Sequence, residues 1–243
     1  MSLGLGIANE LLETPLPVLA DEGGLGTNLM IWYQNGVGVS TAGWVDSGPG
    51  GIDATQSTIV NRPAGIVDGG LRFDQSGSDS QWMDFQKITI GQGDPYTLIF
   101  AVLISGSGAL QNRVILSDSG NEFLEIQNPT NFRLKYNNPS NLLTVLRCQD
   151  DVFLNGSKMI VALTRNSSGE HKWFINGEQI PQTGSTNATN DHGFDLQNLC
   201  IRNDNDRALD GNLYELALYS VELTTEQLTS VTNGLADKLG MSI

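Results

Sequence analysis

The chain predicts an all-β fold: two antiparallel sheets stacked as a sandwich, one short C-terminal helix, and an extended N-terminal arm. Three observations carry this. Short apolar stretches recur about every ten residues, with Asn-, Gly-, Pro- and Ser-rich turns between them. Glycine is abundant at 28 and charged residues are scarce at 16%, a composition rich in turns and poor in long helix. The hydrophobic period then changes from that of a strand to that of a helix near residue 220.

That change organises the rest. In residues 212–218, Leu213, Glu215 and Ala217 alternate with Tyr214, Leu216 and Leu218, which predicts a strand with one large apolar face. Thr224 with Gln227 has the form of a capping box. Leu228, Val231, Leu235, Ala236 and Leu239 then form one helical stripe, and Gly240 stands where a helix stops. Burying those side chains stabilises by roughly 1.5–3 kcal/mol each, so the helix needs a sheet to lie on.

Taken in order, residues 1–28 read as an arm that docks on something, with Gly4, Gly6, Gly23, Gly24 and Gly26 among apolar residues and Pro15 and Pro17 in the middle. Leu11, Leu12, Leu16, Val18 and Leu19 are too apolar for a free tail. Residues 29–243 then form one domain. Residues 29–39 (LMIWYQNGVGV) open it with an aromatic-rich strand and a turn, and residues 40–70 read as loop. Short strands follow at 71–73 and 82–85, and residues 97–104 (TLIFAVLI) form a central strand buried on both faces. Strands at 114–116, 123–127, 132–136 and 142–146 come next. A hairpin joins 159–165 to 171–175, Asn176-Gly177 marks a type I′ turn into 178–180, and a strand at 196–202 precedes the stretch at 212.

The formal net charge is −14 with only 13 Lys and Arg, so no basic cluster exists to neutralise phosphates, and nucleic-acid binding is not expected. The acid serves solubility, or offers carboxylates to cations or a basic partner. The N-terminus has no basic region followed by an apolar run, so no secretory signal is read, and the longest apolar run is too short to insert in a bilayer. Cys148 and Cys200 fall on separate strands; they are two buried thiols, or one disulfide if their Cα atoms lie within about 7 Å. Asn155, Asn166 and Asn187 begin N-x-S/T triplets that, without a secretion route, are chance matches.

Catalytic signals are weak. Only His171 and His192 are available as bases, and His171 reads as a surface histidine in a hairpin. The Glu-x-Asp-x-x-Glu pattern of jelly-roll glycosidases is absent, and Glu122 and Glu125 are three apart, hence on opposite faces if both are in a strand. No catalytic residue is assigned. Asn203, Asp204, Asn205 and Asp206 give alternate oxygen ligands of the kind Ca²⁺ takes, so weak Ca²⁺ binding at Asp204 and Asp206 is the one cofactor expectation; a solvated turn is the competing reading. For a sugar, Trp44 and Trp82, in or beside loops, are the stacking candidates, and Trp32 and Trp173 belong to the core. Asp191, His192, Asn203, Asp204 and Asp206 supply hydrogen-bonding groups for hydroxyls.

Three stretches carry a resemblance. MIVALTRNSSGEHKWFINGEQI (159–180), LDGNLYELALYS (209–220) and VELTTEQLTSVTNGLADKLG (221–240) look like the laminin-G-like branch of the concanavalin A-like lectin/glucanase superfamily. The resemblance implies a jelly-roll sandwich. The LGLGIANELL and LMIWYQNGVGV segments resemble laminin-G-like virion proteins of tailed phages of marine bacteria. That implies a non-catalytic module of the virion on head, neck or tail, made in the host cytoplasm, with capsid or tail subunits as partners, host glycan as a loop ligand, and homo-oligomers among its states. The alternatives are a free lectin-like module and a degenerate glycosidase.

Overall fold

The computed structural model describes residues 25–74, 80–105, 112–118, 122–128, 130–136, 143–147 (backbone), 156–181, 192–201 and 207–243. After a short 3₁₀ turn the strands are β1 (Leu29–Tyr33), β2 (Val39–Ser40), β3 (Gly43–Trp44), β4 (Ala54–Thr55), β5 (Gly65–Val67), β6 (Gly70–Phe73), β7 (Met83–Ile90) and β8 (Tyr96–Ile104). Next come β9 (Arg113–Ser117), β10 (Phe123–Asn128), β11 (Asn131–Lys135), β12 (Leu143–Arg147), β13 (Lys158–Arg165) and β14 (His171–Ile175). The last are β15 (Glu178–Gln179), β16 (Phe194–Leu199), β17 (Gly211–Tyr219) and the helix α1 (Thr225–Lys238).

Among the described residues these strands form two antiparallel sheets, as the sequence predicts. The first runs β15-β14-β13-β8-β17-β6-β5, with β1 on the same flank of β17 as β6 but at its other end. The second runs β12-β11-β10-β9-β16-β7-β4-β3-β2. Their facing sides make one core, in which Trp44, Phe73, Phe100, Phe132, Trp173 and Leu216 are buried. A second apolar layer lies on the far side of the first sheet. There α1 sets Leu228, Val231, Leu235 and Ala236 against Ile99, Ala101, Ala162 and Ala217.

That second layer corrects the reading of residues 212–218. β17 is buried along its whole length, because the core takes one face and α1 the other. β8 is buried on both faces for the same reason, as its unbroken apolar run predicts. The helix is held as its sequence says. Thr224 accepts from the Gln227 backbone while Gln227 reaches back to the Thr224 N–H. At the far end Gly240 adopts φ +64°, and Met241 N–H returns to the Ala236 carbonyl, a Schellman closure.

One polar contact fixes this layer. Glu215, buried on β17, accepts from Trp32 Nε1 (2.6 Å) on β1, the Asn35 backbone (3.1 Å) and Lys238 Nζ (2.8 Å) at the end of α1. Charge-assisted bonds to all three offset the desolvation of its carboxylate.

Two further expectations change. Residues 40–70 are not simply loop: β2, β3 and β4 extend the second sheet, and β5 pairs with β6 across Asp68-Gly69, both at positive φ. That dipeptide is a hairpin signal in its own right. His171 is buried, with Tyr136 bonded to its Nε2, because β14 turns it toward the core. Cys200 is a free, buried thiol whose pKa burial pushes up; Cys148 lies outside the described residues.

Candidate functional site

The second sheet carries the polar outer face that the first lacks. Along β7, Met83, Phe85, Ile88 and Ile90 enter the core, whereas Asp84, Gln86, Lys87 and Thr89 are exposed. Neighbouring β16 repeats this, with Phe194, Leu196 and Leu199 inward and Asp195 and Asn198 outward. Alternation, interrupted once in each strand where the register shifts, makes such a face, since successive side chains of a strand point to opposite sides. Cross-strand bonds then order it. Asn198 Nδ2 donates to Asp84 Oδ1 (2.6 Å), Lys87 Nζ meets Asp195 Oδ2 (3.0 Å), and Thr89 Oγ1 donates to Asp195 Oδ1 (2.7 Å).

At one end of this face lies a cleft of about 320 Å³ lined by Thr89, the Gly91-Gln92 turn, Glu122, His192, Gly193 and Asp195. Glu122 reaches it from just before β10. β16 pairs with β9 only at Asn198 and Leu199; before them Glu122 Oε2 instead accepts the Asp195 backbone N–H. Its own N–H donates to Asp118 Oδ1 (2.8 Å). Glu122 Oε1, by contrast, has no hydrogen-bond partner although the residue is only 3% exposed. A buried acceptor left unbonded is uncommon, and one on a residue that lines a cleft marks where to look for a ligand donor.

The two cleft carboxyls are pushed apart. Desolvation, opposed by the Asp195 N–H bond and reinforced by the Asp118 and Asp195 charges, raises Glu122 to about 7. For Asp195 desolvation acts upward too, but the Thr89 hydroxyl and Lys87 ammonium outweigh it and hold the group below its ordinary value. Near neutral pH, Glu122 therefore both donates and accepts, while Asp195 stays an acceptor.

The cleft's rim is fastened from beneath. Arg165, buried at the end of β13, donates to the carbonyls of Gly91 (2.9 Å), Asp94 (2.9 Å from Nε) and His192 (2.5 Å), and stacks over Tyr96 at 5.1 Å. Gly193 is required at this rim, because a Cβ there would stand 2.5 Å from the Ile90 carbonyl oxygen.

Of the sequence-predicted site residues, His192 lines the cleft and Trp82 sits half-buried at the other end of β7, its Nε1 donating to Asp84 Oδ1 (3.2 Å). Trp44 is no platform: it is fully buried, its Nε1 bonded to the Gln34 carbonyl, because the short β3 strand points it into the core. Trp32 and Trp173 are core residues, as expected. Asp191, Asn203, Asp204 and Asp206, and the arm residues Leu11, Leu12, Leu16, Val18 and Leu19, lie outside the described residues. Among the described residues no group of three or more His, Cys, Asp or Glu side chains is placed to hold a metal, and no helix is long and apolar enough to cross a membrane. Asp84, Asp195 and Asn198 were missed by the sequence reading, and Glu122 was named there only in excluding a glycosidase pair; the alternation in MDFQKITI is the signal for the face that Asp84 shares with Asp195 and Asn198.

No family model matches the sequence, and no curated protein matches it. Solved structures do. The botulinum neurotoxin serotype D binding domain is 16% identical with a TM-score of 0.61, over 87% of this chain and 52% of that one. The binding domain of Paraclostridial Mosquitocidal Protein 1 is 15% identical at 0.59, over 87% and 53%. A botulinum neurotoxin type C structure, from a protein whose cell entry depends on interaction with two ganglioside molecules, is 15% identical at 0.59, over 87% and 52%. The chain thus spans about half the length of these neighbours, and at such identity the likeness is one of fold. That fold is a two-sheet β-sandwich.

Proposed function

We propose that this chain is a non-catalytic glycan-binding module. The observation that carries the proposal is Glu122: its carboxyl has one oxygen buried without a partner, and the residue lines an open cleft beside His192 and Asp195. A sugar hydroxyl would supply the missing donor and accept from the same carboxyl when it is protonated. The neighbours' use of this fold in binding domains, one of them in a ganglioside-dependent toxin, supports the same reading. Split carboxyl pKa values also suit acid–base chemistry, but both Asp195 oxygens are already engaged by Lys87 and Thr89, so a second free catalytic carboxylate is lacking at this pair.

A glycan array with the intact chain tests this. Binding is expected, with loss of about tenfold in affinity for Glu122→Ala, which removes acceptor and donor together, circular dichroism confirming that the variant is folded. Sugar release during the incubation, or equal binding by the variant, would refute the reading.

The setting we propose is a phage particle, with residues 1–28 as the tether to capsid or tail subunits. It rests on the resemblance of the N-terminal segments and on the apolar arm residues Leu11, Leu12, Leu16, Val18 and Leu19. Removing residues 1–28 should leave sugar binding intact and abolish incorporation into particles. Normal incorporation would reduce the proposal to a free lectin-like module. Weak Ca²⁺ binding at Asp204 and Asp206 stays part of the proposal, read by a calorimetric titration.

A further inference from the structure

We propose that a second cleft, on the helix-covered side of the first sheet, binds a free α-amino acid with an apolar side chain. The site is separate from the Glu122 cleft and does not depend on the glycan reading.

This cleft, of about 310 Å³, is lined by Thr164, Lys172, Phe174, Glu222, Leu223 and the first turn of α1. Strand alternation decides which side chains reach it. Met159, Val161 and Leu163 of β13 enter the core, so Ile160, Ala162 and Thr164 turn to the α1 side. On β14, Trp173 enters the core while Lys172 and Phe174 turn to the α1 side, and Lys172 pairs directly with Thr164.

Two features mark a place for a ligand. The first is Thr164, which is 1% exposed and whose hydroxyl has no hydrogen-bond partner. Its cross-strand neighbour Thr97 is fully engaged, donating to the Val221 carbonyl (2.8 Å) and accepting the Leu223 N–H (2.9 Å). Both threonines adjoin the connection from β17 to α1, yet one is left unsatisfied, which a buried hydroxyl seldom is.

The second feature is a loose ion pair. Lys172 Nζ stands 3.5 Å from Glu222 Oε1, longer than the roughly 2.7–2.9 Å of a charge-assisted hydrogen bond, and both groups are partly exposed. Such a pair contributes little to stability and exchanges partners readily. Glu226 adds a second carboxylate from the first turn of α1, held by its own backbone N–H and the Thr224 hydroxyl.

These groups define the ligand class. A molecule bearing both charges can enter the Lys172–Glu222 pair with signs alternating, its carboxylate on Lys172 and the Thr164 hydroxyl, its ammonium toward Glu222 and Glu226. A lone anion would meet two carboxylates and a lone cation would meet the Lys172 ammonium, so each fits less well. Lys172 and Glu222 stand close together, so the ligand's charges must be close as well, which favours an α-amino acid over a longer ω-amino acid. Phe174 and Leu223, both in the apolar layer beneath α1, offer the surface for its side chain.

Calorimetry on the full chain tests this, with L-leucine, leucinamide, N-acetyl-leucine and γ-aminobutyrate as probes. L-leucine is expected to bind more tightly than about 1 mM, and each of the other three at least about tenfold more weakly. Thr164→Val, which keeps a similar shape and removes the hydroxyl, should weaken leucine binding about tenfold, and Lys172→Met by at least as much. Circular dichroism checks that both variants are folded; if Thr164→Val is not, the blocked ligands and Lys172→Met decide. A purely structural threonine predicts instead unchanged leucine binding and a raised melting temperature in Thr164→Val. That result, equal binding of the blocked forms, or no heat from leucine at about 10 mM overturns the proposal.

Discussion

On the outer side of the first sheet, Ile99, Ala101, Ile160 and Ala217 are buried beneath α1. On the outer side of the second sheet, Asp84, Gln86, Lys87 and Thr89 stand in solvent. The strands have the same period and share one core, yet β8 reads as an unbroken apolar run and β7 as an alternation. The difference teaches that the hydrophobicity of a strand's second face reports what lies on it. A strand covered twice carries stability, and a strand covered once is free to carry a ligand.

The contrast is broken most directly by truncating one residue on each face. Leu235→Ala, beneath the helix, should cost about 2–5 kcal/mol in urea unfolding, since it leaves a cavity. Gln86→Ala on the polar face should stay within about 0.5 kcal/mol. Comparable losses at both would show that the two faces do not differ as described. Glu122 sharpens the contrast at the rim. Its pKa is raised from 4.5 to about 7 in the folded chain, so the folded state binds the extra proton between those values. The group's contribution is full below pH 4.5 and is lost as pH rises through 7. The intact chain should therefore lose on the order of 3 kcal/mol across that window at this site, and Glu122→Gln should flatten that part of the profile. A steeper profile in the variant would remove Glu122 from the desolvated rim.

The same contrast decides how much was legible in sequence. The sandwich and its helix were readable because burial is periodic: TLIFAVLI, the Thr224–Gln227 box and Gly240 each act over a few neighbouring residues. β3 was too short to show a period, so Trp44 passed for a loop residue when it is core. His171 was misjudged because nothing local announces Tyr136, 35 residues away. The candidate site is likewise assembled at long range, with Glu122 meeting the Asp195 backbone across 73 positions. His192 and Trp82 were found from residue type alone, whereas their partners depended on strand register, which a single sequence leaves open.

Glu215 ties Trp32 of the first strand and Lys238 of the last helix to a single carboxylate. Described chain therefore enters and leaves on the same side of the molecule, opposite the polar sheet. A tether or immobilising tag joined near residue 25 or after residue 243 starts from that helix-covered side. Anchored through either end, the molecule would hold its polar sheet outward, turned toward whatever approaches from solution.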